Sequence, residues 1–158
     1  MINCTFENGA KASLRHTVID AIVEKDSQIL LIKRSPQLVE GGKWAFVGGF
    51  VERNEVLKDT VAREVPEEAG YSVKNIRLFT IRDNPLRHED RQNISIVFLC
   101  SADQKVGEHD EEVTDVKWFD LDKLPNEEEF AFDHFDIAQL YLNYRKENTK
   151  LPILDTLT

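Results

Sequence analysis

The sequence predicts an α/β fold in which a mixed β-sheet carries helices on its faces. Segments with strand and helix patterns follow one another in the order β-β-β-α-β-β-β-α. The composition agrees, because 41% of the 158 residues are hydrophobic and 31% are charged, with no long tract of Gly, Ser or Pro. A chain of this length can bury a proper core. We therefore expect a single domain over residues 1–158.

The first strands form a predicted hairpin. Residues 17–23 and 29–32 are rich in β-branched and apolar side chains, and the polar segment EKDSQ joins them. A loop at residues 35–42 follows, and then a short strand, KWAFVGGF, which contains the paired glycines Gly48 and Gly49. Paired glycines at a strand end let the backbone approach another group closely.

A helix of about fifteen residues is predicted next, with Asn54 as its N-cap. Leu57, Val61 and Val65 form an apolar stripe at helical spacing, and Gly70 is the expected C-terminal stop. Three further strands are predicted at residues 71–81, 93–102 and 113–121, and a final helix at about 133–147. The polar loop RDNPLRHEDRQ separates the first two of these strands.

Composition also excludes several classes of protein. No run of about 18 apolar residues occurs, and the first residues lack the basic-then-apolar order of a signal peptide, so we expect a cytoplasmic protein with no membrane partner. Cys4 and Cys100 are too few and too isolated for a disulfide framework or a zinc site. The net charge of −9 argues against binding a nucleic-acid backbone. A phosphate-bearing ligand would need a cation as mediator.

Three glutamates crowd into one turn of the predicted helix, at Glu64, Glu67 and Glu68. In a helix they share roughly one side, and each like-charged pair costs about 0.2–0.5 kcal/mol. A divalent cation would remove that cost, and an all-oxygen ligand set suits Mg²⁺ or Mn²⁺ rather than Zn²⁺. Taken alone, such a turn is also explained as a solvated helix face.

The spacing around these glutamates decides between the two interpretations. From Gly49 the chain reads GFVERNEVLKDTVAREVPEEAGY. This stretch resembles the 23-residue Nudix box, and every specified position is met, with Tyr71 counted as the final bulky apolar residue. The resemblance extends over most of the chain, since the hairpin, the Gly-Gly strand end and a late strand with Trp118 before a C-terminal helix also look like that family's domain.

The resemblance implies an α/β/α sandwich with a loop-helix-loop metal site that hydrolyses a nucleoside diphosphate linked to another group. Carried over by position, Glu67 and Glu68 would be metal ligands, and Glu64 a ligand or the base that deprotonates water. Gly48 would offer its carbonyl oxygen to the metal. Mg²⁺ is the implied cofactor, with Mn²⁺ as an alternative.

Supporting and additional residues follow from the same resemblance. Gly49, Glu55 and Arg63 would be supporting residues, because Glu55 and Arg63 would pair and orient the helix against the loop before it. A further carboxylate is expected from the loop HDEEV, six residues before Trp118, where Glu112 is the best match to a catalytic and metal-binding position. In that loop, the neighbouring carboxylates Asp110 and Glu111 compete with it, and an ordinary solvated loop is an equal alternative.

Four arginines are candidate substrate-binding residues, because arginine forks suit phosphate oxygens. They are Arg34, Arg82, Arg87 and Arg91. For the last three, local ion pairs with Asp83, Glu89 and Asp90 explain the arginines equally well. For Arg34, a surface position at the end of a strand is an equal alternative.

Aromatic and histidine side chains carry weaker signals. Trp44 and Phe46 are expected in the core, with base stacking as the alternative. His88, His109 and His134 have no evident partner set and are expected to be exposed or to cap a helix.

Within the family it resembles, we expect ADP-ribose or a similar nucleotide-sugar as the small-molecule substrate. Two alternatives remain, a house-cleaning nucleoside triphosphate pyrophosphohydrolase and a non-catalytic Nudix-fold ligand sensor. The resemblance also leaves a homodimer open, since that assembly is common in the ADP-ribose branch.

Pro66 stands among the glutamates, where it removes one helical hydrogen bond and crowds the Ala62 carbonyl. We expect a kink or widened turn between Ala62 and Pro66, with the glutamates still converging on the metal.

Overall fold

The computed structural model describes residues 2–87, 92–147 and 149–154. The strands are β1 (Ile2–Thr5), β2 (Lys11–Leu14), β3 (Thr17–Lys25), β4 (Gln28–Arg34), β5 (Trp44–Ala45), β6 (Val47–Phe50), β7 (Tyr71–Arg82), β8 (Ile94–Lys105) and β9 (Val113–Asp120). The helices are α1 (Leu57–Ala69) and α2 (His134–Glu147), and short 3₁₀ turns span Pro85–Arg87 and Glu127–Glu129.

Seven of these strands form one mixed sheet. Its main order is β5-β4-β3-β8-β7, with β6 paired to β3 and β9 paired to β4. β3 and β8 run parallel, whereas the other pairs are antiparallel. β1 and β2 form a separate two-stranded sheet. The sheet places β3 at its centre, beside the strand that carries the paired glycines.

The two helices cover opposite faces of the large sheet. Val61 and Val65 of α1 pack in one buried cluster with Ile19 of β3. Ile22 of the same strand packs in a second buried cluster, together with Ile137 of α2. Because side chains at odd and even positions of a strand point to opposite faces, the helices enclose the sheet from both sides. The predicted α/β/α sandwich is confirmed.

The predicted hairpin is also confirmed, and its turn is tight. β3 and β4 pair antiparallel, with Lys25 opposite Gln28. Asp26 and Ser27 between them have φ angles of 50° and 64°, which suit a two-residue hairpin turn. The sequence does not predict the β1–β2 hairpin, because each of its two strands is only four residues long.

Helix α1 differs from the prediction at its start and agrees at its end. Asn54 is not the N-cap: Val56 occupies that position, with no side-chain cap, and the helix begins at Leu57. Gly70 ends the helix in the left-handed conformation, at φ 72°, and its N–H donates to the Pro66 carbonyl at 3.0 Å. The helix is α-helical throughout Leu57–Ala69, so it does not open into a wider turn at Pro66.

None of the helices in the described part of the chain is long and apolar enough to cross a membrane.

Candidate active site

A pocket of about 400 Å³ lies where β3, β6 and α1 meet the loops that precede β9 and α2. Carboxylates line one part of it, including Glu64, Glu67 and Glu68 of α1. Arg34 and Arg87 line the pocket as well. The fold thus brings most of the residues singled out in the sequence to a single concave surface.

Glu68 is a deeply buried carboxylate of this pocket, with 7% of its surface exposed. Its Oε2 accepts a hydrogen bond from the Gly48 backbone N–H at 3.2 Å. Burial raises the pKa of Glu68 to about 8, and the nearby charges of Glu64 and Asp110 add to this, against the lowering effect of the Gly48 N–H. This carboxylate is therefore held in a place where its negative charge is poorly compensated.

Glu64 occupies the space that a side chain at position 49 would need. A Cβ built on Gly49 would lie 1.9 Å from the Glu64 Oε1 atom. Burial raises the pKa of Glu64, and the Arg63 guanidinium opposes that rise. The first glycine of the 23-residue pattern is thus needed because a carboxylate from α1 lies against its backbone.

Arg63 ties α1 to the loop that precedes it. Its Nε and Nη2 donate to the two carboxylate oxygens of Glu55 at 2.9 and 3.1 Å, as a bidentate pair. The Arg63 hydrogen bonds hold the pKa of Glu55 at about 2. Nη1 of Arg63 also donates to Glu64 at 2.7 Å and to Glu67 at 3.3 Å. One guanidinium therefore orients the loop and two of the three glutamates.

The three glutamates share one side of α1, but their carboxylates do not converge on one point. Within residues 2–87, 92–147 and 149–154, no three side chains of His, Cys, Asp or Glu are grouped as metal ligands. Arg63 draws Glu64 and Glu67 toward itself, whereas the Gly48 N–H holds Glu68. The expected convergence is therefore absent from this arrangement.

The chemistry of the donor set nevertheless fits a divalent cation. Glu64, Glu67 and Glu68 supply only oxygen atoms, and Gly48 adds a backbone carbonyl at the same wall of the pocket. Glu68 is buried beside two like charges, so a cation would stabilise its ionised form. Hard cations such as Mg²⁺ and Mn²⁺ prefer this donor set.

The loop before β9 brings two more carboxylates to the pocket. The Asp110 N–H donates to the Glu67 carbonyl at 3.1 Å, which docks the loop on the end of α1. Asp110 Oδ1 in turn accepts the Glu112 N–H at 2.9 Å. Asp110 and Glu112 line the pocket, whereas Glu111 is not among the described residues that do. Asp110 and Glu112 therefore remain the candidates for a catalytic carboxylate from this loop.

Two of the four candidate arginines, Arg34 and Arg87, line the pocket. Arg34 lines the pocket, with its guanidinium 5.0 Å from the centre of the Phe132 ring and its Nε donating to the Val39 carbonyl. Arg87 lines it too, and its Nη1 donates to both carboxylate oxygens of Asp133 at 2.8 Å.

Arg82 is not among the described residues that line the pocket, and its Nε donates to Asp133 at 3.1 Å. Both arginines therefore pair with Asp133, far along the chain, and Arg82 also lies 3.8 Å from Asp136. Of the partners expected in their own loop, Glu89 and Asp90 lie outside the described residues. Arg91 lies outside the described residues.

His134 is placed differently from the prediction. It is buried, with 5% of its surface exposed, whereas His109 is exposed as expected and His88 lies outside the described residues. Trp44 and Phe46 are buried in the core, as expected. His134 faces Asp20 in the pocket wall, and Asp20 is not among the site residues predicted from the sequence. A single acidic residue inside the apolar strand TVIDAIV is the signal that could have found it.

This chain is similar to a known protein family, to relatives of known name and to solved structures. The model of the NUDIX domain family matches residues 14–141. An ADP-ribose pyrophosphatase from Methanocaldococcus jannaschii is 36% identical over 130 residues, which cover 80% of this chain and 73% of that protein.

A second relative and a solved structure extend the comparison. The NAD-capped RNA hydrolase NudC of Chromobacterium violaceum is 35% identical over 97 residues, which cover 61% of this chain but only 35% of that protein. The crystal structure of a NUDIX hydrolase from Nitrosomonas europaea has the same fold, with a TM-score of 0.77 and 24% identity over 97% of this chain and 91% of that chain.

Proposed function

Since this chain belongs to the Nudix family and is a pyrophosphohydrolase, we propose that it cleaves a nucleoside diphosphate linked to a second group, with ADP-ribose as the favoured substrate. The proposal includes dependence on a divalent cation, Mg²⁺ or Mn²⁺. Glu64, Glu67, Glu68 and Glu112 are the proposed catalytic carboxylates.

One observation carries the proposal: the buried Glu68 carboxylate lies beside the Gly48 backbone in a pocket that also contains Arg34 and Arg87. A diphosphate in this pocket would meet both carboxylates and arginines. Carboxylates repel a diphosphate unless a cation lies between them, whereas guanidinium groups bind phosphate oxygens directly. The pocket therefore suits a cation-bound diphosphate better than a neutral ligand.

The residues that would hold the cation are Glu64, Glu67 and Glu68, the Gly48 carbonyl and, from the loop before β9, Glu112. When bound, a divalent cation neutralises diphosphate charge and makes water more acidic. Magnesium accepts this oxygen-only donor set and keeps several waters of its own. Arg63 would then act as the support that sets how far the Glu64 and Glu67 side chains reach into the pocket.

The chain's own groups supply the remaining chemistry. We assign Glu112 as the base, because its side chain is exposed at the pocket rim and Asp110 fixes its backbone. In the reaction a water oxygen bonds to one phosphorus and the bridging P–O bond breaks. The water's proton passes to the carboxylate and the bridging oxygen leaves on the second phosphate. Two phosphate monoesters are the products.

The preference for ADP-ribose is supported by the identity of 36% with an ADP-ribose pyrophosphatase along most of both chains. The arginines agree with it, since Arg34 and Arg87 line the same pocket as the glutamates of α1. The NudC relative makes an NAD-type dinucleotide the second candidate substrate, although this chain spans about a third of that protein.

A substrate panel with Mg²⁺ tests the proposal. The compounds are ADP-ribose, NAD⁺, other nucleotide-sugars, dinucleoside polyphosphates, CDP-alcohols and oxidised nucleoside triphosphates, each followed by release of phosphate monoesters or pyrophosphate. We expect the highest kcat/KM for ADP-ribose. A preference for triphosphates would favour the house-cleaning alternative. Tight binding of ADP-ribose with no cleavage of any compound would favour a ligand sensor.

A further inference from the structure

The first residue of α2, His134, makes a contact that the reaction described above does not use. Its Nδ1 lies 2.9 Å from the backbone nitrogen of Phe46 and accepts that N–H. An imidazole nitrogen that accepts an N–H carries no proton itself, so the proton of the neutral ring is on Nε2. The hydrogen bond thus fixes both the orientation and the tautomer of the ring.

The other side of the ring faces a buried carboxylate. His134 Nε2 lies 3.4 Å from Asp20 Oδ1, and Asp20 is only 7% exposed. The Ser95 hydroxyl donates to the second oxygen of Asp20. Burial alone would raise the pKa of Asp20, but His134, Ser95 and the charge of Arg87 outweigh it and lower that pKa. Asp20 thus lies against the ring at Nε2, whereas Phe46 is bound at Nδ1.

Both contacts of His134 lead to the strand of the paired glycines. Phe46 directly precedes β6, two residues before Gly48. Asp20 is the cross-strand partner of Gly48, and a Cβ built on Gly48 would lie 2.5 Å from Asp20 Oδ1. The imidazole thus connects α2 to the Phe46 backbone, directly before β6, and, through Asp20, to Gly48 within β6.

We propose that His134 is a positioning residue for hydrolysis, which sets the place of the Gly48 backbone relative to Glu68 by holding the Phe46 N–H. Its displacement would move Gly48, whose N–H is 3.2 Å from Glu68 Oε2, and with it the carbonyl assigned to the cation. The inference rests on the proposed function, because it concerns the same cation site. Partners outside the direct contacts of a metal site typically change metal affinity or activity by about 10–100-fold.

Two substitutions test the two contacts of His134 separately, the one with the Phe46 N–H and the one with Asp20. In asparagine the terminal oxygen lies where Nδ1 of histidine lies, so His134→Asn keeps an acceptor for the Phe46 N–H. In glutamine the terminal amide lies where Nε2 lies, so His134→Gln keeps a donor toward Asp20 and loses the acceptor. A residue that only fills space in the core would not distinguish these variants in catalysis.

A matched control comes from the same helix. Tyr141 is buried in α2, and its hydroxyl donates to Glu24 Oε2 at 2.7 Å, away from the pocket. Tyr141→Phe removes this bond and the one that the hydroxyl accepts from Arg145 Nη1 at 3.4 Å, so it perturbs α2 at least as much as His134→Gln does. We expect it to lower thermal stability and to leave kcat and cation affinity at wild-type values.

The test measures kcat and KM with ADP-ribose, the Mn²⁺ dissociation constant without substrate, and the thermal unfolding midpoint. For His134→Gln we expect kcat to fall and the Mn²⁺ dissociation constant to rise, each about 10-fold or more, with a smaller change in KM. His134→Asn should stay closer to wild type in both. Asp20→Asn, which keeps the side-chain size, should also lower kcat and serves as the second variant if His134→Gln does not fold.

Three results would overturn the inference while leaving the proposed function intact. They are wild-type kcat and Mn²⁺ affinity in His134→Gln, a loss in His134→Asn larger than in His134→Gln, and wild-type values in Asp20→Asn. Failure of the wild-type protein to hydrolyse any diphosphate compound would instead reject the proposed function.

Discussion

The carboxylate of Glu64 lies so close to Gly49 that no side chain fits between them. A Cβ on Gly49 would approach Glu64 Oε1 to 1.9 Å. Arg63 Nη1 donates to the same oxygen of this carboxylate, Oε1, at 2.7 Å. The glycine and the arginine together fix where a catalytic carboxylate of α1 can lie.

Gly49→Ala should therefore displace Glu64 and lower kcat. Misplacement of a catalytic group by about 1 Å can cost about 100-fold in rate, and we expect a loss of that order. The measurement is kcat for ADP-ribose hydrolysis at saturating Mg²⁺. Gly107→Ala is the matched control, because a Cβ at Gly107 meets no atom within 4 Å and should leave kcat unchanged. Equal activity of the two variants would contradict the role given to Gly49.

Glu112→Gln should lower kcat by about 100-fold or more, because the amide cannot accept the water's proton. Asp110→Asn should have a smaller effect, since Asp110 positions the Glu112 backbone through its Oδ1. Glu111→Gln is the control from the same loop. The measurement is kcat of the three variants at one fixed Mg²⁺ concentration, which shows which carboxylate is the base. A larger loss in Asp110→Asn than in Glu112→Gln would move the base to Asp110.

The ion pair between Glu55 and Arg63 predicts that the thermal stability of the fold depends on pH. The pKa of Glu55 falls from an ordinary 4.5 to about 2 in the folded protein, mainly through the Arg63 hydrogen bonds. Because the pKa of Glu55 is lower in the folded than in the unfolded protein, the ion pair stabilises the fold at pH values above about 4.5. This stabilisation is lost as the pH falls from about 4.5 toward 2. Wild type should thus unfold at a higher temperature than Glu55→Gln at pH 7, and the gap should shrink below pH 4.5.

Thermal unfolding from pH 7 to pH 3 measures this gap. Glu111→Gln, which removes an exposed carboxyl from another loop, should follow the wild-type curve. A gap between wild type and Glu55→Gln that stays constant down to pH 3 would show that the pair does not titrate as described.

Much of the site was predictable because its chemistry depends on short-range spacing. Glu64, Glu67 and Glu68 lie within five residues, so a helical period alone places them on one side of α1. The stop at Gly70 is likewise a local signal, whereas the paired glycines lie within β6 and not at a strand end as expected. These features needed no knowledge of how distant segments pack.

The parts that escaped prediction depend on contacts between distant segments. Arg82 and Arg87 pair with Asp133, which no pattern within their loop indicates. His134 is buried because α2 begins against the β3 and β6 region, where Asp20 and the Phe46 N–H are available. Sequence periodicity describes one element at a time, so the partners of such side chains appear only when the elements are packed.

The central claim is that the acidic side of α1 beside Gly48 is the cation site of a diphosphate hydrolase. Its most direct test is the rate of ADP-ribose hydrolysis by wild type and Glu68→Gln as Mg²⁺ is titrated, with a chelator as the zero point. We predict that wild type depends on Mg²⁺ and that Glu68→Gln loses about 100-fold or more in kcat/KM, because a buried ligand carboxylate is gone. Equal rates for the two proteins, or a wild-type rate that does not change with Mg²⁺, would contradict the claim.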